Sequence, residues 1–200
     1  MGRNKRTLIL AEDKYGESFF KKLCKKLKDN GLISKQLTFN VKKLPGKCNP
    51  KTERILLARE NLDDQIIIVA DAHGTDKKEV IASLEVHIPK SFKKITHFII
   101  FDYCIEECIC KSLGIRYRTD PVTDLDRYLR NTTGEKYEKH MLPSFVNHID
   151  VNVLVNNDNN FKCFLWLLQH SSQKKYHQKR KSTKEFVKHI ARRVQQILFE

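Results

Sequence analysis

Two short apolar runs, separated by a helical segment, constrain the fold of this chain more than any other feature. Gln65 to Ala70 reads QIIIVA and Thr96 to Phe101 reads THFIIF. Continuous runs of β-branched and aromatic residues are typical of central strands that are buried on both faces of a parallel sheet. The segment Lys77 to Val86 between them is predicted to be a helix. A strand, a helix and a second strand in this order predict a parallel crossover unit.

The same alternation extends through the first half of the chain. We predict strands at Thr7 to Ala11 and Gln36 to Val41, an amphipathic helix from Gly16 to Asn30-Gly31, a helix from Pro50 to about Leu62, and a helix from about Ile105 to Leu113. Strands that alternate with helices throughout indicate an α/β protein, with a parallel Rossmann-like sheet flanked by helices.

The second half of the chain changes character. Short helices are predicted at Asp120 to Arg130, Tyr137 to Ile149 and Phe161 to Leu168, and Val151 to Val155 is interpreted as an edge strand or an extended link. We divide the chain into an α/β domain, residues 1–168, and an extension, residues 169–200, made of a basic linker and a C-terminal amphipathic helix.

Composition places the chain among compact proteins that remain in the cytoplasm. Hydrophobic residues make up 40% of the 200 residues, which is enough for one domain with a sizeable core. No apolar run approaches the roughly 20 residues of a membrane span, and the N-terminal segment does not resemble a signal peptide. We therefore expect no membrane partner. The six cysteines include no Cys-x-x-Cys pair, so we expect buried thiols rather than disulfides or a zinc site.

The charge distribution predicts a polyanionic partner. The formal net charge is +14, and from Asn160 to Glu200 ten basic residues face only two glutamates. Such asymmetry favours nucleic acid, DNA or RNA, although a solvated and solubilising tail has the same composition. The candidate contacts to a phosphate backbone are Lys136, Lys139, Lys174, Lys175, Lys179, Arg180 and Lys181.

Acidic residues follow three of the predicted strands. Glu12 follows the first strand, Asp71 follows the strand that ends at Ala70, and Asp102 follows the strand that ends at Phe101. The carboxyl ends of parallel strands form one edge of the sheet, where ligands bind. Carboxylates gathered there would repel one another unless a hard cation such as Mg²⁺ or Mn²⁺ binds them. Helix capping is the alternative explanation for each carboxylate taken singly.

Further polar residues lie close to these strand ends. His73 and Asp76 follow Asp71 within five residues and are candidate metal ligands. Glu106 and Glu107 follow Asp102, and we interpret them as further acidic residues that also suit the first turn of a helix.

The order of these motifs resembles the Toprim (topoisomerase–primase) domain. Glu12 lies in the turn AEDKYGESFF, which runs into the first helix, and Asp71-Ala72-His73-Gly74 stands where the family carries Asp-x-Asp. The segments IEEC at 105–108, GEKYEK at 134–139 and NNFKCF at 159–164 are similar to those of small stand-alone relatives of the overcoming-lysogenization-defect nucleases. The resemblance covers Thr7 to Leu168. It implies a Toprim-like fold, Mg²⁺ or Mn²⁺, and catalytic roles for Glu12 and Asp71.

His73 departs from the Toprim pattern, because the family has an aspartate at that position. Histidine ligates manganese or zinc well and magnesium poorly. Three functions therefore remain open at this point: a metal-dependent nuclease, a non-catalytic module that binds nucleic acid or a protein partner, and a small-molecule phosphohydrolase. The oligomeric state is also left open.

Overall fold

The computed structural model describes residues 6–46, 49–60, 62–118 and 120–170. Within these ranges the chain forms four strands, β1 Arg6–Ala11, β2 Thr38–Lys43, β3 Gln65–Asp71 and β4 Thr96–Phe101. The helices there are α1 Lys14–Asp29, α2 Pro50–Leu57, α3 Lys77–Glu85, α4 Glu106–Leu113, α5 Pro121–Thr133, α6 Val151–Asn157 and α7 Asn159–His170. Two 3₁₀ helices, Lys93–Ile95 and Lys139–His148, complete these elements.

The four strands form one parallel sheet in the order β2-β1-β3-β4. In the pairing of β1 with β3, Thr7 lies opposite Gln65 and Ala11 lies opposite Val69. All seven residues of β3 are buried, as a central strand with both faces covered requires. The predicted α/β class with a parallel, helix-flanked sheet is confirmed.

Helices cover both faces of the sheet and produce two apolar cores. Side chains alternate between the faces along each strand, so Ile9 packs in one core and Leu8 in the other. The larger core joins the sheet to α1 and to the helices that follow β4, while α2 and α3 cover the other face. The carboxyl edge of the sheet remains open between these layers, which is where the acidic strand ends lie.

The 3₁₀ helix Lys139–His148 is attached to α1 at both of its ends. The Lys26 ammonium donates hydrogen bonds to the carbonyls of Val146, Asn147 and Ile149, at 2.9, 3.1 and 2.8 Å. A cation at the end of a helix satisfies carbonyls that have no partner within the helix. At the other end, Lys139 pairs with Asp13, the residue that precedes α1.

The prediction for Val151 to Val155 was wrong. An edge strand or an extended link was expected, but the segment is the start of α6. The Asp150 carboxylate caps this helix by accepting the backbone N–H groups of Asn152 and Val153. Residues 151, 154 and 155 are buried, which is the spacing of one helix face.

Other boundaries moved by a few residues. The second strand was predicted at Gln36 to Val41 and is β2, Thr38–Lys43. The helix that begins at Pro50 ends at Leu57 rather than near Leu62. The predicted helix from Tyr137 to Ile149 is the 3₁₀ helix Lys139–His148, which contains Pro143. The basic linker and the C-terminal amphipathic helix lie outside the described residues, and the domain boundary at residue 168 stays a prediction.

Candidate metal site at the carboxyl edge of the sheet

Glu12 and Asp71 meet because their strands are neighbours. Glu12 directly follows β1, and Asp71 is the last residue of β3. The parallel pairing places both at the carboxyl edge, where the Asp71 backbone N–H donates a hydrogen bond of 2.9 Å to Glu12 Oε2. Asp71 is 5% exposed, so its carboxylate approaches the edge from within the sheet. The backbone of one strand thus orients the carboxylate that follows the other.

His73 reaches the same point through an unusual backbone conformation. Its φ is +50°, in the left-handed region that histidine adopts more readily than most residues. The His73 N–H donates to the carbonyl of Tyr103, and the Gly74 N–H donates to that of Asp102, at 3.0 and 2.8 Å. Gly74 has φ +79°, a backbone conformation that favours glycine, and this explains a glycine at this position. His73 Nε2 lies 3.8 Å from Glu12 Oε1.

The three side chains form one donor cluster. Each of Glu12, Asp71 and His73 offers one ligand atom, and these atoms all lie within 4.8 Å of one another. Two carboxylates and one imidazole can hold a divalent ion, with room for water or substrate at the remaining positions. The imidazole favours Mn²⁺ or Zn²⁺ over Mg²⁺ within this set.

Asp76, the fourth predicted ligand, occupies a different position. It precedes α3 and its carboxylate accepts the backbone N–H of Lys78, which is the geometry of a helix cap. Asp102, at the end of β4, is largely exposed and pairs with Lys77 at 2.9 Å. Neither residue belongs to the donor cluster.

Glu106 and Glu107 are buried in the core beside the cluster rather than exposed at its rim. The Tyr137 hydroxyl donates to Glu106 Oε1 at 2.8 Å, and Glu106 Oε2 has no hydrogen-bond partner among the described residues. Glu107 accepts the backbone N–H of Tyr103. That bond fixes the loop that follows β4, whose Tyr103 and Asp102 carbonyls accept the N–H groups of His73 and Gly74. Glu107 thus helps to hold the backbone of the cluster in place.

A buried polar network holds Glu107 in turn. The Lys111 ammonium lies 3.4 Å from Glu107 and 2.8 Å from Asp158, and both carboxylates are fully buried. Burial alone would lower the pKa of Lys111, but its bond to Asp158 and the nearby acidic groups raise it well above its usual value. The Tyr117 hydroxyl donates to Glu107 at 3.2 Å. Lys111 therefore stays charged and balances the two carboxylates.

Asp13 and Lys139 form an ion pair next to the donor cluster, with Nζ 2.9 Å from Oδ2. Burial would raise the pKa of Asp13, but the N–H groups of Gly16 and Tyr15 and the Lys139 ammonium outweigh it and lower the pKa. For Lys139, the bond to Asp13 and the charges of Glu106 and Asp71 overcome burial and raise the pKa. Lys139 thus brings a positively charged group to this edge. The shallow pocket here is lined by Ala11, Glu12, Asp13, Gly16, Phe20, Val69, Asp71, Ile105 and Lys139.

The other predicted basic contacts are not brought to the cluster. Lys136 is exposed, and its charge acts on Asp126 rather than on the strand ends. Lys174, Lys175, Lys179, Arg180 and Lys181 lie outside the described residues.

Sequence reasoning missed Tyr137 and the pairing of Lys139 with Asp13. Tyr137 and Lys139 lie in the segment GEKYEK, where the sequence predicted Lys139 as a phosphate contact but neither its ion pair nor a role for Tyr137. The contacts of Tyr137 with Glu106 and of Lys139 with Asp13 join residues 31 and 126 positions apart, so no local sequence pattern predicts them.

The cysteines among the described residues carry no sign of reactivity. Cys24, Cys104, Cys108 and Cys110 are buried free thiols, and Cys163 is partly buried. Burial raises the pKa of Cys24, Cys108 and Cys104, the last with help from Glu106 and Asp71, and raises that of Cys110 to about 12. Thiols with such pKa values stay protonated and act as small apolar side chains.

The fold and the cluster together define the class of this protein: an α/β protein with a parallel sheet and an acidic–histidine cluster at the carboxyl edge that could hold a metal ion. A scan against protein-family models, a search of curated proteins and a search of solved structures each found no match. Among the described residues, no helix has the length and apolar character needed to cross a bilayer.

Proposed function

We propose that this chain is a divalent-metal-dependent phosphodiesterase of Toprim type that cleaves DNA or RNA. The observation that carries the proposal is the convergence of Glu12, Asp71 and His73, whose ligand atoms lie within 4.8 Å of one another. The cluster lies at the carboxyl edge of a parallel sheet, where α/β proteins bind ligands. The resemblance of the motif order to Toprim domains supports the same reaction class.

The residues of the cluster fit a divalent ion without a change of fold. Asp71 is held by the strand, Glu12 is oriented by the Asp71 N–H, and His73 is fixed by the Tyr103 carbonyl. Such preorganisation reduces the cost of assembling a site. A bound Mn²⁺ or Mg²⁺ would supply Lewis-acid activation of a phosphodiester and neutralise its charge.

Lys139 is the basic residue best placed to assist at this site. Its ammonium lines the same pocket as Glu12 and Asp71 and remains charged because neighbouring carboxylates raise its pKa. A phosphate that enters the pocket would meet this charge opposite the carboxylates. We assign Lys139 to substrate binding and charge stabilisation, and Asp13 to positioning it.

The proposal is tested by assaying cleavage of single- and double-stranded DNA and RNA with Mg²⁺ or Mn²⁺. The variants are Glu12→Gln and Asp71→Asn, both close in shape to the native residues. We expect metal-dependent cleavage to fall about 100-fold or more in each variant, because a carboxylate ligand is lost. Titration calorimetry with Mn²⁺ should show a matching loss of metal affinity.

Asp102→Asn is the matched control, since Asp102 directly follows the neighbouring strand β4 but pairs with Lys77 instead of joining the cluster. We expect it to retain cleavage and metal binding. Equal loss in Asp102→Asn, or full activity in Glu12→Gln, would contradict the site assignment. Polymer binding without cleavage would favour the non-catalytic module, and turnover of mononucleotides alone would favour a phosphohydrolase.

A further inference from the structure

The positive charge of the described residues is concentrated in a single segment. Residues 14–46 contain nine lysines against two carboxylates, a net charge of +7. The remaining described residues contain seventeen basic and twenty acidic residues, a net charge of −3. This excess of positive charge is separate from the basic C-terminal region, and it lies within the residues that the structure describes.

The fold places this segment along one side of the molecule. It comprises α1 and β2, and β2 is an edge strand of the sheet. Glu17 at the start of α1 accepts the backbone N–H of Lys43 at the end of β2, at 3.0 Å. Near the other end of α1, Lys28 donates to the Leu37 carbonyl just before β2, at 2.9 Å. Helix and strand therefore lie side by side along their length.

Most of these lysines are exposed and form a surface that we call the lysine face. Its members are Lys14, Lys21, Lys22, Lys25, Lys35 and Lys43. Lys42 is exposed on the other side of the sheet, because side chains alternate along β2 and Val41 packs on the α1 side. Lys26 and Lys28 are excluded, because both bind backbone carbonyls and have structural roles. Glu17 and Asp29 are the carboxylates of the segment, and Glu17 pairs with Lys21. Like charges one helical turn apart repel each other, so a bound polyanion would relieve this repulsion.

The lysine face begins at the candidate metal site. Lys14 directly follows Glu12 and Asp13, and Lys43 ends β2 at the same edge of the sheet. From there α1 extends over sixteen residues, roughly 24 Å at 1.5 Å per residue. That length corresponds to about seven nucleotides of a strand at 3.4 Å per phosphate. A mononucleotide would leave most of the face unused.

We infer that the lysine face binds the phosphate backbone of a polynucleotide and leads it to the cluster of Glu12, Asp71 and His73. The inference rests on the proposed function, since it assigns the surface that carries the polymer to that site. An anionic membrane fits less well, because the large exposed hydrophobic residues in the described ranges all lie outside 14–46. They are Leu57, Leu62, Val86, Val122 and Tyr128.

The test measures binding of the full chain to labelled DNA and RNA oligonucleotides in EDTA, where no metal-dependent step contributes. The variant combines Lys22→Gln, Lys25→Gln and Lys43→Gln. Its control combines Lys90→Gln, Lys93→Gln and Lys94→Gln, three exposed lysines at the amino end of β4, the opposite edge strand. Both variants lose the same charge and keep the C-terminal region, so only the position of the charges differs.

We expect the lysine-face variant to flatten the slope of log affinity against log salt by about 2–3, and the control to leave it unchanged. At low salt its affinity should fall at least tenfold. Equal slopes in both variants would overturn the inference, as would binding to phosphatidylserine vesicles in preference to the oligonucleotides. Metal-dependent cleavage with wild-type binding in the lysine-face variant would overturn this inference and leave the proposed function intact. Binding that depends on the lysine face, without any cleavage, would support this inference and contradict the proposed function.

Discussion

At the scale of single residues, His73 is the member of the cluster that bears most on which metal ion the cluster could hold. It replaces a carboxylate expected from the Toprim resemblance, and its imidazole lies 3.8 Å from Glu12. Its left-handed backbone is fixed by the Tyr103 carbonyl. Aspartate tolerates this conformation, so the position can accept either ligand type. Backbone geometry therefore does not by itself require histidine at this position.

This gives a prediction for His73→Asp. We expect the ratio of Mg²⁺-supported to Mn²⁺-supported cleavage to rise about tenfold, because a carboxylate is the harder ligand. His73→Ala is the control and should lower activity with both metals. Initial rates at saturating metal measure the ratio. An unchanged ratio in His73→Asp would mean that this residue does not ligate the ion.

Gly74 shows how far the conformation of a single residue can be predicted from the sequence. The sequence marks it as part of a turn, but only the structure shows that φ is +79° and that the Tyr103 ring lies against it. The requirement for glycine comes from this positive φ, which the bond from the Gly74 N–H to the Asp102 carbonyl helps to hold. The local sequence predicts a loop at Gly74 but not the residues that this loop contacts.

At the scale of elements, α4 connects the cluster to the helical layer behind it. Glu107 on α4 accepts the Tyr103 N–H, and the Lys111 ammonium donates to Glu107. Lys111 also donates to Asp158, the residue that precedes α7. Each group is satisfied by the next, as buried charges require. The loop 102–104, which fixes His73, therefore depends on an ion pair formed between two helices.

Lys111→Met tests this connection. It leaves Glu107 and Asp158 buried without their cation, so we expect a loss of about 3 kcal/mol in the free energy of unfolding. Urea denaturation measures the loss. Lys21→Met is the matched control, because Lys21 forms an i,i+4 pair with Glu17 on an exposed helix face, and it should change stability by less than about 0.5 kcal/mol. Equal effects in the two variants would show that the buried network contributes nothing beyond a surface pair.

Elements differ in how far local sequence predicts them. The strand Thr96–Phe101 was predicted with its bounds, because its apolar run and neighbouring turns are local signals. Val151–Asn157 was not, since three valines favour a strand by propensity. The Asp150 cap and burial against the helical layer overrode that preference. Propensity is weak where tertiary packing supplies most of the stabilisation.

At the scale of the whole molecule, the chain carries two basic regions that are far apart in sequence. The lysine face lies along α1 and β2, and the segment 171–200 adds nine basic residues against two glutamates. Because phosphate contacts contribute separately to salt dependence, the two regions should act additively on a polymer.

Truncation before Lys174 tests the C-terminal region on its own. We expect weaker binding of DNA or RNA and a shallower salt slope, with residual salt-dependent binding from the lysine face. Fluorescence anisotropy across a salt series measures both. Unchanged affinity after truncation would show that the C-terminal lysines are only solvated, and loss of all salt dependence would show that the lysine face contributes nothing.

The sequence by itself determined the alternation of strands and helices and the position of a carboxylate after each central strand. These are local properties, set by apolar period and turn chemistry. Tertiary structure alone decided which polar residues meet. The strand register places Glu12 at the Asp71 N–H. Asp76 instead caps α3, and Glu106 lies in the core, where it accepts the Tyr137 hydroxyl. Such pairings depend on strand order and layer packing, which join residues distant in the chain and leave no periodic trace in the sequence.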